Sequence, residues 1–278
     1  MDRDFHYTDK DFRRVKTIIY ERAGINLSDA KEHMVYSRLA RRLRALDMER
    51  FQDYLDMLVR DPESDEWEHF TNALTTNLTS FFRESHHFDI LADFLAKKPK
   101  GHTFHIWCSA SSTGEEPYSI AMTMVEALGK ILPPGTILAS DLDTNVLTKA
   151  ENGVYSLERL EKLQVERKRQ FFLRGKGDKS GFARVRSELR EMISYRQINL
   201  LDSAWPIRGP FDAIFCRNVL IYFDKETQRK VLEKFAPLLA DDGLLFVGHS
   251  ESLQHVSDLF SPCGKTVYRL ANKHGHKS

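Results

Sequence analysis

Four short stretches carry polar side chains at spacings that could serve a ligand. In the central one, Ser109-Ala110-Ser111-Ser112-Thr113-Gly114 runs into an acidic pair, Glu115 and Glu116. A β-rich run at 103–107 precedes it and a helical pattern including Ile120, Met124 and Leu128 follows, so the small residues occupy a strand-to-helix turn. In a parallel α/β sheet that turn lies at the carboxyl end of the first strand, where nucleotide-like ligands bind. Small side chains let a ligand approach the backbone, and the N–H groups at the helix start are free donors. Carboxylates there repel a phosphate but suit a ligand carrying hydroxyls and an ammonium group; equally, two acids at a helix start complement its dipole. Asp141 ends a second strand-like run, 136–141, where nucleotide-binding folds set an acid against ribose hydroxyls. Asp143 better fits the N-cap of a helix beginning near Thr144. Arg217 and Asn218 follow a buried strand-like run at 211–216, again at a carboxyl edge. Finally Asn77, Thr79 and Arg83 alternate with Leu78, Phe81 and Phe82, a pattern that suits either a hinge packed by its phenylalanines or a lid whose polar side reaches a cleft.

Several function classes are excluded. Gly114 is the only glycine of its turn, so the dinucleotide fingerprint is missing, and no Gly-Lys-Ser/Thr makes a phosphate loop. A net charge of +1, from 41 basic and 40 acidic residues, gives no bulk attraction to nucleic acid. Cys108, Cys216 and Cys263 have neither metal-ligand spacing nor a disulfide framework, and the first two fall where buried free thiols are expected. No metal site is expected. With no signal-peptide pattern and no long apolar segment, a reducing cytosol is the expected compartment.

The elements that must position these residues form two blocks. Residues 1–76 read as a small all-helical domain of about 75 residues. Thr8 and Asp11 make a capping-box-like start, Phe12, Val15, Ile18 and Ile19 an apolar face, and Gly24 a stop. Ser28 begins a second helix, with Val35, Leu39, Leu43 and Leu46 on one face. Arg38, Arg41 and Arg42 occupy a neighbouring sector and Arg44 lies further round, a basic face that is either merely solvated or docks an acidic helical partner. Residues 77–84 read as an ordered linker. Residues 85–271 carry the α/β pattern, and 272–278 form a polar tail. Within the α/β block the turn-rich segment 174–181 reads as a plain loop or as part of an antiparallel insertion spanning about 172–196, whose edge could take a peptide by strand addition.

Read together, residues 77–83, 110–119, 139–143 and 211–223 resemble the bacterial chemotaxis receptor glutamate methyltransferases, the CheR family. Four motifs in the right order, with the helical block before them, extend the resemblance over nearly the whole chain. It implies a Rossmann-like methyltransferase sheet with a small antiparallel β-subdomain, preceded by an all-α domain. It implies methyl transfer from S-adenosylmethionine to glutamate side chains on the cytoplasmic helices of chemoreceptors, leaving S-adenosylhomocysteine. The implied cofactor contacts are Asn77, Thr79, Arg83, Glu115, Asp141, Asn199, Leu200, Arg217 and Asn218, with Asp141 on the ribose and the partner of Glu115 left open. Arg83 and Tyr222 are implied near the methyl group. The basic face of Arg38, Arg41, Arg42 and Arg44 would meet receptor helices, and the Gly177 to Gly181 loop would help dock a receptor tail peptide. A monomer that neither enters the membrane nor binds nucleic acid, recruited from the cytoplasm to receptor arrays, completes the expectation.

That chemistry needs no triad. A glutamate carboxylate is ionised at neutral pH, so no base is required before it attacks a sulfonium methyl. In-line positioning can contribute on the order of 7–11 kcal/mol. Two other readings predict different residues to matter: methylation of another protein or a small molecule would make the arginine face dispensable, and a non-catalytic cofactor-binding module would bind without turnover. The intact polar set from Asn77 to Tyr222 argues against the module.

Overall fold

Capping and apolar periodicity set the helices of the amino-terminal unit. The computed structural model describes residues 4–271, and the polar tail assigned to 272–278 lies outside the described residues. Helix α1 (Asp9–Ala23) starts on the Thr8 capping box, with the Asp11 N–H donating to Thr8 and the Thr8 N–H donating to the Asp11 carboxylate, and stops at Gly24 in a left-handed conformation. A single 3₁₀ turn, Asp29–Lys31, intervenes before α2 (Glu32–Ala45), so this helix starts after the position that Ser28 marks in the sequence. Helices α3 (Phe51–Arg60) and α4 (Glu66–Leu74) complete the set. Val15, Ile19, Val35, Leu39, Leu43, Phe51, Leu55 and Phe70 are fully buried, each contributing roughly 1.5–3 kcal/mol of apolar transfer. Residues 222–227 belong to this unit as well, and the Asn26 N–H donates to the Tyr222 carbonyl at 2.9 Å.

The second unit alternates strands and helices: α5 (His86–Lys97), β1 (Phe104–Cys108), α6 (Glu115–Leu128), β2 (Gly135–Asp141), α7 (Thr144–Asn152), β3 (Val154–Ser156), α8 (Val165–Phe171), β4 (Phe172–Arg174), β5 (Phe182–Val185), α9 (Ser187–Glu191), β6 (Ile193–Gln197), β7 (Phe211–Cys216), α10 (Lys225–Phe235), β8 (Leu239–Val247), β9 (Phe260–Gly264) and β10 (Val267–Leu270). Residues 222–227, including the start of α10, are the part of this run that belongs to the helical unit. Seven strands form one sheet in the order β6-β2-β1-β7-β8-β10-β9, parallel except for β10, which is antiparallel to both its neighbours. Every residue of β7 is buried and all but Asp212 are apolar, as expected of a parallel strand covered on both faces. Trp107, Ile106, Phe215 and Phe246 lie fully buried in the core, and the rings of Phe215 and Phe246 stack at 4.2 Å.

The antiparallel insertion has different members from those its sequence suggests. Its sheet is β3-β5-β4, so Val154–Ser156 supplies a strand from before the turn-rich segment. Ile193 and Tyr195 instead lie in β6, the edge strand of the large sheet, pairing in parallel with Ile137 and Ala139 of β2. The physical reason is α9: this short helix turns the chain away after Val185 and returns it to the exposed edge of β2.

Candidate functional site

Parallel register brings the predicted residues to one edge. Cys108 of β1 pairs with Ala139 of β2 and with Phe215 of β7, and Asp141 of β2 pairs with Gln197 of β6. Segments 109–115, 141–143, 198–200 and 217–218 therefore leave neighbouring strands at the same carboxyl end. β2 lies on one side of β1 and β7 on the other, so the edge is the topological switch point of the sheet.

The turn after β1 is shaped by backbone constraint. Gly114 has φ of 98°, and a Cβ there would stand 2.7 Å from the Tyr155 hydroxyl and 2.8 Å from the Ala150 Cβ. Ser112 is left-handed too. Its N–H donates to Asp141 Oδ2 at 2.8 Å, and the Asp143 N–H donates to Asp141 Oδ1 at 3.0 Å. Asp141 is buried, and this burial pushes its carboxyl up to about 6 against the lowering effect of those N–H groups. Asp143 caps α7, accepting from the N–H groups of Asn145 and Val146, as its sequence position suggests.

Glu115 and Glu116 have separate partners. Glu115 is buried, accepts from the Thr113 hydroxyl at 2.7 Å and pairs with Arg159 on the 3₁₀ turn Leu157–Leu160 that follows β3. Glu116 accepts from Arg217 Nη1 at 2.6 Å. The Arg217 side chain is fully buried, and its Nη2 donates to the Arg83 carbonyl at 2.5 Å and lies 3.3 Å from Glu84. Two buried polar atoms here, Ser111 Oγ and Arg217 Nε, have no hydrogen-bond partner among the described residues. Burial raises the pKa of the Cys108 and Cys216 thiols, which makes both poor nucleophiles.

The linker is anchored on both its apolar and its polar sides. Phe81 is buried, with edge-on contacts to Tyr155 at 5.0 Å and Phe172 at 5.6 Å. Its polar side reaches the turns: Asn77 Nδ2 donates to Asp143 at 2.9 Å, and the Ser112 hydroxyl donates to the Asn77 carbonyl at 3.0 Å. Arg83 Nη1 closes the segment on itself by donating to the Leu78 carbonyl at 3.0 Å. Thr79 is half-buried. Among the described residues, four of the six non-glycine positions with positive φ lie here: Phe82, Glu84, Ser112 and Asn218. Such strain persists only where surrounding contacts over-determine it, and it clusters at functional sites.

The remaining predicted residues divide between this edge and other places. Asn199 accepts from the Leu201 N–H through its own side chain at 3.0 Å, and Leu200 is buried with its carbonyl accepting from Lys234 Nζ at 2.7 Å. The Asn218 N–H donates to Glu251 at 2.9 Å. Gly177 and Gly181 lie between β4 and β5 of the small sheet, Gly177 left-handed. Tyr222 and the four arginines belong to the helical unit. There Arg38 donates to the carbonyls of Ala73 and Thr75, and Arg42 makes a two-pronged pair with the buried Glu66 at 2.9 and 2.6 Å. Those two guanidiniums are thus bound within their own unit, which corrects the picture of four arginines on a free face. Arg41 is exposed, and Arg44 is an exposed partner of Asp4.

Sequence reasoning passed over Glu84, Arg159 and Glu251 as site residues. Glu84 and Glu251 each satisfy groups on separate segments. Glu251 accepts from the N–H groups of Gly248, Asn218 and Ile221 and so holds the turn after β7. A polar His249-Ser250-Glu251 run after a buried strand was the available signal; for Glu84 and Arg159 there was none, because their partners are distant in sequence.

Comparison with known proteins gives matches over nearly the whole chain. Residues 77–269 match the family described as CheR methyltransferase, SAM binding domain, and residues 10–75 match the CheR methyltransferase all-alpha domain. The chain is 53% identical to chemotaxis protein methyltransferase 2 of Pseudomonas aeruginosa, covering 97% of this chain and 96% of that one. It is 50% identical to the chemotaxis protein methyltransferase of Escherichia coli, over 95% and 92% of the two chains. Among solved structures, the glycopeptide N-methyltransferase MtfA complexed with sinefungin overlaps with a TM-score of 0.36 at 14% identity, over 61% of this chain and 50% of that one.

Proposed function

Because this chain belongs to the CheR family of S-adenosylmethionine-dependent methyltransferases, which act in chemotaxis, we propose that it methylates glutamate side chains on the cytoplasmic helices of chemoreceptors. The observation that carries this reading is the meeting of the 77–84 linker with the β1, β2 and β7 turns at the switch point. The residues there suit the cofactor. Polar side chains from Asn77, Thr79, Glu115, Asp141, Asn199 and Asn218 would hold it, with Leu200 supplying an apolar wall, and the orphaned Ser111 hydroxyl and Arg217 Nε are buried beside them. S-adenosylmethionine supplies an electrophilic sulfonium methyl when bound.

The chain's own residues have limited work to do. An ionised glutamate needs no base, so the protein must orient it, exclude water and shield its charge. Arg83 is the cation on the linker that would orient the acceptor carboxylate. Gly114 lets the turn pack directly against Tyr155 and Ala150, where any Cβ would collide, and so fixes the start of the helix that follows. In this reading the 77–84 linker works with the α/β domain that follows it. Arg41 and Arg44 would meet the receptor, and the small sheet around Gly177 and Gly181 would take a receptor tail peptide. The protein would work as a monomer in the cytoplasm, at receptor arrays; no described helix is long and apolar enough to cross a membrane.

Incubating the protein with methyl-labelled S-adenosylmethionine and a receptor cytoplasmic fragment tests the reading. Carboxyl methylation gives label released as methanol by mild base. Label that resists base, or none despite cofactor binding, would overturn the glutamate assignment.

A further inference from the structure

Glu84 is a residue of this edge that no part of the reaction yet uses. It follows Arg83 directly, its side chain is 10% exposed, and its backbone is left-handed at φ 56°. Its carboxylate joins three segments. Oε2 lies 3.3 Å from Arg217 Nη2 and accepts from the His249 N–H at 3.1 Å; Oε1 accepts from His249 Nδ1 at 2.9 Å and lies 3.5 Å from Asn218 Nδ2. The buried His87 ring stands 3.7 Å away. Burial raises the Glu84 carboxyl's pKa, but the His249 hydrogen bond and the Arg217 charge outweigh it and leave it at about 2, so the group is an anion throughout the physiological range.

These contacts bear on Arg83. The backbone on either side of it is left-handed, at Phe82 and Glu84. The Phe82 N–H is held by the Ser119 hydroxyl at 3.0 Å, the Arg83 carbonyl by Arg217, and Glu84 by Arg217 and His249. Neither Phe82 nor Glu84 is glycine, so this conformation persists only because the anchors fix it. We propose that Glu84 is a positioning residue for methyl transfer: by clamping Arg217 and the His249 turn it fixes the strained 82–84 backbone and so aims Arg83 at the acceptor. Ser119 anchors the other side of the same bend. The inference rests on the placement of Arg83 at the methyl-transfer site.

A double-mutant cycle in single-turnover methylation of a receptor cytoplasmic fragment tests it. Glu84→Gly removes the carboxylate while tolerating the left-handed backbone. It is expected to slow transfer roughly 10–100-fold, the scale of an ångström-sized misplacement. In an Arg83→Ala background the same change should alter the rate less than about twofold, because the residue it acts through is gone. His249→Ala, at a side chain 61% exposed, gives a second probe remote from the buried part of the clamp. It should produce a smaller loss that also vanishes in the Arg83→Ala background. Equal losses in both backgrounds, or unchanged rates for Glu84→Gly and His249→Ala, overturn the proposal. Wild-type turnover by Arg83→Ala alone would instead overturn the placement of Arg83, and this inference with it.

Discussion

The Asn77 amide donates to Asp143 Oδ2 at 2.9 Å, while the other oxygen of that carboxylate caps α7. One acid thus fixes both the start of a helix and the start of the linker. The two roles are separable. Asp143→Ser keeps a capping oxygen but falls short of Asn77, so it should hold stability within a few tenths of a kcal/mol while weakening S-adenosylmethionine binding several-fold. Asp143→Ala loses the cap as well and should cost about 1 kcal/mol in thermal unfolding. Identical calorimetric affinities for Asp143→Ser and the wild type would show that the Asn77 tie has no part in the site.

Gly114→Ala should be the most damaging change of a single methyl group at the turn. The new Cβ would meet the Tyr155 hydroxyl and Ala150 within 2.9 Å at a φ of 98°, and one of those neighbours is backbone. Strain and overpacking together should cost about 1–3 kcal/mol. Cofactor affinity should fall in parallel, because the turn cannot relax without moving Ser112 and hence Asp141. Equilibrium unfolding and calorimetric titration check the two effects.

Much of this arrangement was legible in the sequence. Strand-to-helix turns, the Asp143 cap and the Thr8 capping box rest on local spacing, and local spacing survives in the fold. The switch-point edge was also legible, since it follows from strand order. What could not be read were partners distant along the chain. Arg42 belongs to a basic sector on a helical wheel, yet Glu66 lies 24 residues away and takes it inward. Ile193 and Tyr195 continue a β-rich stretch, yet only the open edge of β2 decides which sheet they join. Glu84 was invisible for the same reason: its meaning comes from Arg217 and His249.

The Arg42–Glu66 pair separates fold from docking. Glu66 is buried and also accepts from the Tyr54 hydroxyl at 2.9 Å. Arg42→Ala strands that carboxylate and should destabilise the helical unit by about 3 kcal/mol. Arg41 is exposed, so Arg41→Ala should leave stability within about 0.5 kcal/mol. If the arginine face meets receptors, Arg41→Ala should still reduce methylation of a receptor fragment by raising KM. Unchanged KM for this variant, with thermal unfolding as the control, would remove Arg41 from docking.

If Asp141 holds the ribose, the pH dependence of cofactor binding turns on its carboxyl. Burial raises its carboxyl to about 6, whereas in the unfolded chain it titrates near 3.9. The folded pKa is the higher one, so Asp141's contribution to stability is fully present below the unfolded value and is lost as pH rises through about 6. Glu84, at about 2, has the opposite sign, and its contribution is lost only as pH falls towards that value. Binding responds to the ionised form: a carboxylate accepts from two ribose hydroxyls more readily than a carboxylic acid, which is itself a donor. S-adenosylmethionine affinity should therefore weaken as pH falls through about 6. Asp141→Asn should bind more weakly at neutral pH and lack that limb, and its stability relative to the wild type should be more favourable at pH 7 than at pH 5. Calorimetric titrations of both proteins from roughly pH 5 to 8 bracket the folded carboxyl value of about 6. The same acid limb in wild type and Asp141→Asn would place the titrating group elsewhere and remove Asp141 from the ribose.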